Sequence, residues 1–290
     1  MEGKLPKCWS TPLEGGRESV LRMIKTKEDR LGRFGFKFRA GGTHTARTMM
    51  LEDLRLLLSS VPSLSNLPSV GATKGDYVKA IMEDNCLHKR SMRTRILTTR
   101  HLVELYALDS SVTLFRALLY FWKRDPDSQA LLALLCAYCR DPILRLSAPF
   151  ILALPENTVV SRESLEEFID EKYPSRFSKA TLKSTAQNIN STWTKSGHFH
   201  GRTKKFRSLV NPTPGAVSYA LFLGYLLGER GNALFKTEYV NLLDCSVEHA
   251  IELANQAALK GWIVFKRLGN VIEVLFPNLL TSQEMEWLRE

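Results

Sequence analysis

SKATLKSTAQNINSTWTKSGHFHGRTKKFR, residues 178–207, is the stretch whose reading decides the fold. Ser178 stands where a helix N-cap belongs, because its hydroxyl can accept from a first-turn amide. Leu182, Ala186, Ile189 and Trp193 then recur at helical spacing and share one face. Gly197 is placed to end the helix. Beyond it, His198 and Phe199, a turn at Gly201 and residues 204–210 predict a small hairpin. Away from the apolar face lie Lys179, Lys183, Gln187 and Asn190, with Lys195 near the helix end. The hairpin adds Arg202, Lys204, Lys205 and Arg207.

The charge around this helix is one-signed. Residues 172–228 hold nine Lys/Arg and no Asp or Glu, whereas solvated surfaces ordinarily mix signs. The 290-residue chain has 40 Lys+Arg against 30 Asp+Glu, a net +10, which suits a polyanionic partner. The excess is uneven: 12 basic to 7 acidic over 1–62, 12 to 8 over 63–150, 10 to 6 over 151–215, but 6 to 9 over 216–290. Any polyanion site is therefore expected before the last quarter. A helix in the groove, with Lys and amide side chains facing bases, and a basic hairpin on the phosphate backbone make a consistent docking geometry. The competing reading is a solvated basic face with no partner.

Working outward, the expected class is mainly α: a multi-helix bundle with a winged-helix-like C-terminal half, meaning helix-turn-helix plus a small β-hairpin. Residues 1–42 read as a basic N-terminal arm, its first 16 mobile, with the Phe34-Phe36-Phe38 alternation predicting a short strand. Residues 43–155 read as the bundle, with helices at 45–61, 76–86, 91–108, 111–123, 127–140 and 143–154 and a linker at 62–75; Pro149 is expected to kink the last helix. Residues 156–290 read as the winged-helix-like part, with helices at 161–173, 178–196, 216–227, 237–243 and 246–259. Its last hairpin is predicted as 262–265 and 271–276 around residues 266–270.

Two further basic clusters are candidates for a polyanion. Lys89, Arg90, Ser91, Arg93 and Arg95, with Arg100 beyond, sit at a helix N-terminus, where backbone amides already favour an anion. Salt bridges to Glu83, Asp84 or Glu104 are the alternative there. Arg30, Arg33, Lys37 and Arg39 interleave with three phenylalanines that can stack on bases or simply dock onto the core. The last hairpin unit is a poor DNA reader, since Glu248 and Glu252 occupy its third helix.

Signals for catalysis are weak. The chain has no phosphate-loop, Gly-x-Ser-x-Gly or His-Glu-x-x-His pattern. Cys136 and Cys139 lie inside an apolar run and read as buried thiols rather than as zinc ligands with His198 and His200; Asp84, Cys86 and His88 lack an identifiable base partner. No cofactor or metal is expected. Five irregularly spaced cysteines and the lack of an apolar leader at 1–10 point to a cytoplasmic protein. The apolar runs 129–138 and 210–228 read as buried helices, not membrane spans.

IMEDNCLHKRSMRTR, residues 81–95, resembles the signature stretch of the BrxA family of the bacteriophage-exclusion (BREX) defence systems. Residues 177–182 and 193–197 resemble that family's Ser/Thr-start helix ending in Ser-Gly, and the likeness covers about residues 43–239. The resemblance implies a nearly all-helical protein of winged-helix character that binds double-stranded DNA and restricts phage. It also implies partners among the other BREX components: methyltransferase, ATPase and alkaline-phosphatase-like proteins. Lys89, Arg90 and Ser91 are its family-like positions, and the basic 1–42 extension and well-formed last hairpin depart from its pattern. The expectation is a non-enzymatic DNA-binding accessory protein contacting mainly phosphates. A protein–protein adaptor and an RNA-binding protein are the rivals, with a hydrolase behind them.

Overall fold

The computed structural model describes residues 27–38, 42–61 and 71–290. The expected mobile arm at 1–16 and residues 62–70 of the expected linker lie outside the described residues.

The described chain is mainly helical with two small antiparallel sheets. Helix α1 covers residues 27–33 as described, and a 3-10 turn (Thr43–Thr45) precedes α2 (Leu51–Ser60). Then come α3 (Lys74–Met82), α4 (Met92–Tyr106), α5 (Thr113–Arg124), α6 (Gln129–Arg140) and α7 (Pro142–Leu152). Strand β1 (Val159–Val160), α8 (Arg162–Lys172), α9 (Lys179–Lys195), β2 (Phe199–His200) and β3 (Lys205–Arg207) follow. The chain continues through α10 (Pro214–Leu226), a 3-10 segment (Gly231–Lys236), α11 (Glu238–Asn241) and α12 (Val247–Leu259). It ends with β4 (Val264–Leu268), β5 (Val271–Leu275) and α13 (Ser282–Trp287).

Local chemistry sets most helix starts. The hydroxyls of Ser91, Ser161, Ser178 and Ser246 accept from the amides of Thr94, Ser164, Thr181 and His249. Each such cap satisfies a donor that the helix itself leaves unpaired, worth about 1 kcal/mol. Thr73 and Asp76 form a reciprocal capping box, so α3 begins at Lys74, ahead of the expected 76. Asp141 caps α7 through Ile143 N and Leu144 N at 2.9 and 3.2 Å, and Pro149 lies inside that helix.

The core sits between two helices that are apolar all round, as expected of the two uncharged runs. Every residue of α6 from Leu131 to Arg140 is buried, against α4, α5, α7 and α10. Every residue of α10 from Gly215 to Leu226 is buried, against α5, α6, α11 and α12. One apolar cluster thus runs from Leu31 to Leu279. No helix among the described residues is long and apolar enough to cross a membrane.

Four expectations are corrected. Residues 34–38 form no strand; Phe34 and Phe36 are buried, and Lys37 N donates to Cys139 O at 3.1 Å, so the aromatics dock this segment onto α6. The helix expected from 45 begins at 51, because residues 43–50 run along α9 and bond to it instead. The turn expected over 266–270 is only Gly269 and Asn270, since Leu268 pairs with Val271 and Gly269 takes a positive φ of 58°. Strand β1 went unforeseen; it pairs antiparallel with β3 (Val159 opposite Phe206, Val160 opposite Lys205), giving the sheet order β1-β3-β2.

One order of elements occurs twice. The first unit runs α7, β1, α8, α9 and the β2–β3 hairpin; the second runs α10, a 3-10 segment, α11, α12 and the β4–β5 hairpin. Where the first unit has β1, the second has residues 231–236, whose Asn232 Nδ2 donates to Asn270 O at 2.7 Å.

Candidate nucleic-acid interface

Helix α9 has three longitudinal stripes, not two. Ala186, Ile189 and Trp193 are buried, and Trp193 Nε1 donates to Ser147 Oγ of α7 at 2.9 Å. A second, polar stripe holds the 43–50 segment: Ser184 Oγ donates to Thr45 O at 3.2 Å and Asn188 Nδ2 to His44 O at 3.1 Å. Thr192 Oγ1 accepts from Met49 N at 2.9 Å and lies 2.8 Å from His44 Nε2, while His44 Nδ1 lies 2.8 Å from Asp141 Oδ2. Burial pushes the Asp141 carboxyl up, but His44 and the amides of Leu144 and His44 outweigh it and hold the group below the usual carboxylate range. This Thr-His-Asp line has the order of a nucleophile, base and orienter. Thr192 and His44 are fully buried, however, so it clamps three segments together.

The third stripe is open. Lys179, Lys183 and Gln187 are exposed along the first half of α9. Asn190 is not on it: the side chain is buried with its Oδ1 unpaired, because the helix turns that position inward. Lys195 is half-buried, with Nζ 3.3 Å from Thr48 Oγ1.

The β2–β3 hairpin carries further cations. Arg202 and Lys204 are exposed, and Lys205 Nζ donates to Gly201 O at 2.7 Å. Gly201 has φ 95°, and a Cβ there would lie 2.1 Å from Lys204 O, so the turn admits glycine alone. Exposed His200 stacks on Phe206 with centroids 5.4 Å apart. Arg207 is the second correction among the candidate residues. It is 1% exposed, and its guanidinium pairs with both oxygens of Asp244, at 2.9 Å for Nη1–Oδ2. His198 lies beside the same carboxylate, with Nε2 2.8 Å from Leu242 O, and burial pushes its pKa down to about 4. This cluster ties the hairpin to the turn between α11 and α12.

At the start of α4 the charges are divided. Ser91 is the N-cap, and Lys89 Nζ pairs with Asp53 Oδ1 at 2.6 Å. Arg95 Nη1 donates to Met82 O at 2.9 Å, and Arg100 Nε pairs with Glu104 at 3.1 Å. Arg95 and Arg100 are thus committed within the fold, as Lys89 is. Arg90 and Arg93 are exposed with no carboxylate partner among the described residues, as are Lys179, Lys183, Arg202 and Lys204. Those six are cations whose field is not cancelled locally.

A groove of about 240 Å³ joins the two clusters, since Lys89 of the α4 start and Lys195 of α9 both line it. Arg47, which the sequence reading did not single out, lines it as well. On the second unit, Glu248 and Glu252 are exposed on α12, as expected. Cys136 and Cys139 are buried thiols, pushed up by burial, and His200 is committed to its stack. Among the described residues no group of three or more His, Cys, Asp or Glu could hold a metal. No protein-family model matches this chain, and no curated protein matches it.

Proposed function

We propose that this protein is a non-enzymatic accessory factor that binds duplex DNA mainly through phosphates, within a BREX-type phage-defence system and beside its other components. One observation carries the DNA reading: Lys179, Lys183 and Gln187 are exposed on one stripe of α9, Arg202 and Lys204 are exposed on the hairpin that follows it, and none of these cations meets a carboxylate among the described residues. The element order α7, β1, α8, α9, β2, β3 with sheet order β1-β3-β2 supports reading this unit as a winged helix. On that reading α9 enters the major groove and the hairpin tip follows the backbone. The BREX assignment rests on the resemblance of residues 81–95 to the BrxA signature.

The test is a salt titration of binding to duplex DNA, single strands and structured RNA in parallel. Six uncancelled cations on phosphates give a slope of log affinity against log salt of about −5 for duplex DNA. A flat series, or tighter binding to RNA than to duplex, sinks the duplex reading.

The second unit favours an added role as a protein adaptor. Its third helix exposes Glu248 and Glu252, and its hairpin exposes Leu268 and Val271, at 85% and 72%. Such a surface repels phosphates and suits a partner with basic and apolar side chains. Changing Glu248 and Glu252 to Lys is expected to leave duplex affinity within about threefold, since they lie off the proposed interface, while weakening assembly with purified BREX components at least tenfold. Unchanged assembly removes the adaptor role.

A further inference from the structure

Arg47, Lys89 and Lys195 reach one groove from three separate parts of the chain. The hydroxyl-bearing Thr48 and Thr94 line the same space, which measures about 240 Å³. Two carboxylates line it too, and each is already answered: Asp53 by Lys89 at 2.6 Å, Glu52 by Arg55 at 3.2 Å. The other two cations are not spent this way. Arg47 Nη1 meets only the Ala46 carbonyl, at 3.4 Å, and Lys195 Nζ only the Thr48 hydroxyl, at 3.3 Å. Neither has a carboxylate within ion-pair distance among the described residues.

The wall between them is the start of α2. Its N-cap, Met50, also lines the groove and is held at φ 51° with no side chain capping the helix. Glu52 and Asp53 in the first turn of α2 offset its dipole, so the pull on an anion in the groove comes from Arg47 and Lys195 themselves. A concave, hydroxyl-bearing site with a guanidinium and an ammonium selects a compact oxyanion that can accept several hydrogen bonds at once.

The geometry points to a phosphate-binding site in this groove, held by Arg47 and Lys195. The phosphate belongs either to a nucleic-acid backbone passing from α9 toward the start of α4, or to a free phosphate compound. The first case deepens the duplex reading and rests on it; the second stands without it.

The experiment titrates the full chain with inorganic pyrophosphate by calorimetry. It compares wild type, the Arg47→Gln/Lys195→Gln pair and, as a control, Lys179→Gln/Lys183→Gln. Wild type and control are expected to bind alike and the Arg47/Lys195 pair at least tenfold more weakly, with an unchanged thermal midpoint. No binding to wild type, or equal binding to the Arg47/Lys195 pair, overturns the site. In a parallel duplex titration, a salt slope shallower by about two in that pair assigns the phosphate to the backbone. With the pyrophosphate result in hand, an unchanged slope assigns it to a free compound. Loss of all duplex binding to wild type with pyrophosphate binding intact refutes the duplex reading and leaves this site standing.

Discussion

Exchanging Lys179, Lys183, Arg202 and Lys204 together for glutamate is expected to weaken duplex DNA binding by a hundredfold or more near physiological salt. The variant loses four phosphate contacts and places four carboxylates against the backbone, and each lost contact also removes one counterion-release increment. All four side chains are exposed and carry no ion pair among the described residues, so folding should change little, within about 0.5 kcal/mol per site. The informative control is an equal reversal elsewhere: Lys236, Lys260, Arg267 and Arg289 to glutamate, all exposed and beyond residue 230. That variant has the same net charge, and its affinity should stay within a few-fold of wild type. Anisotropy with a labelled duplex distinguishes the two. If both variants lose binding alike, total charge and not the α9 surface governs association, and the assignment of the interface fails.

Removing the carboxylate under Arg207 should be among the most costly single changes in the fold. In Asp244→Asn the guanidinium stays buried beside Leu242 and His198 without a counter-charge, and breaking such a pair costs about 3–5 kcal/mol. Asparagine is chosen because position 244 has φ 49°, a conformation that Asn adopts more readily than most residues. Adding Arg207→Met removes the stranded charge and should restore much of the loss. Denaturant unfolding at neutral pH measures all three, and a cost below about 1 kcal/mol for Asp244→Asn means that the pair is not a structural tie. The same cluster makes the fold acid-sensitive. His198 has a pKa near 4 in the fold against 6.5 for a free histidine, so below pH 6.5 the unfolded chain takes up a proton that the folded chain refuses. Stability should therefore fall from pH 6.5 toward 4, by on the order of 3 kcal/mol. His198→Gln should flatten that window, leaving the loss at lower pH that comes with protonating Asp141.

The sequence reading reached what local chemistry writes. Serine caps, proline stops and the apolar spacing of α9 fix element positions within a few residues, so most helices, both hairpins and both buried runs were legible. Strand β1 was not, because two residues show no periodicity and Val159–Val160 owe their state to β3. The candidate site was half legible. Lys179, Lys183 and Gln187 follow from the helical face alone. Arg207 and Lys89 looked like their exposed neighbours, and what sets them apart is an acid elsewhere in the chain, Asp244 in one case and Asp53 in the other. Asn190 fell wrong because a two-sided picture of α9 left no place for the stripe that holds residues 43–50. The groove with Arg47 belongs to the same class: it exists only where three distant segments meet.

That polar stripe also bears on how the chain is made. His44 and Met49 find their partners on Thr192, almost 150 positions later, with separations of 148 and 143. During synthesis the early helices emerge first, and the segment leading into α2 can already meet Glu104, Tyr106 and Asp141, but its bonds to Thr192, Ser184 and Asn188 wait until α9 has left the ribosome. Until then His44 Nε2 and the Met49 amide lack their Thr192 partner. Contacts of such span are slow to form, since a long loop must close before any of them is made. The surface that holds the basic helix in place is therefore among the last parts of the bundle to be completed.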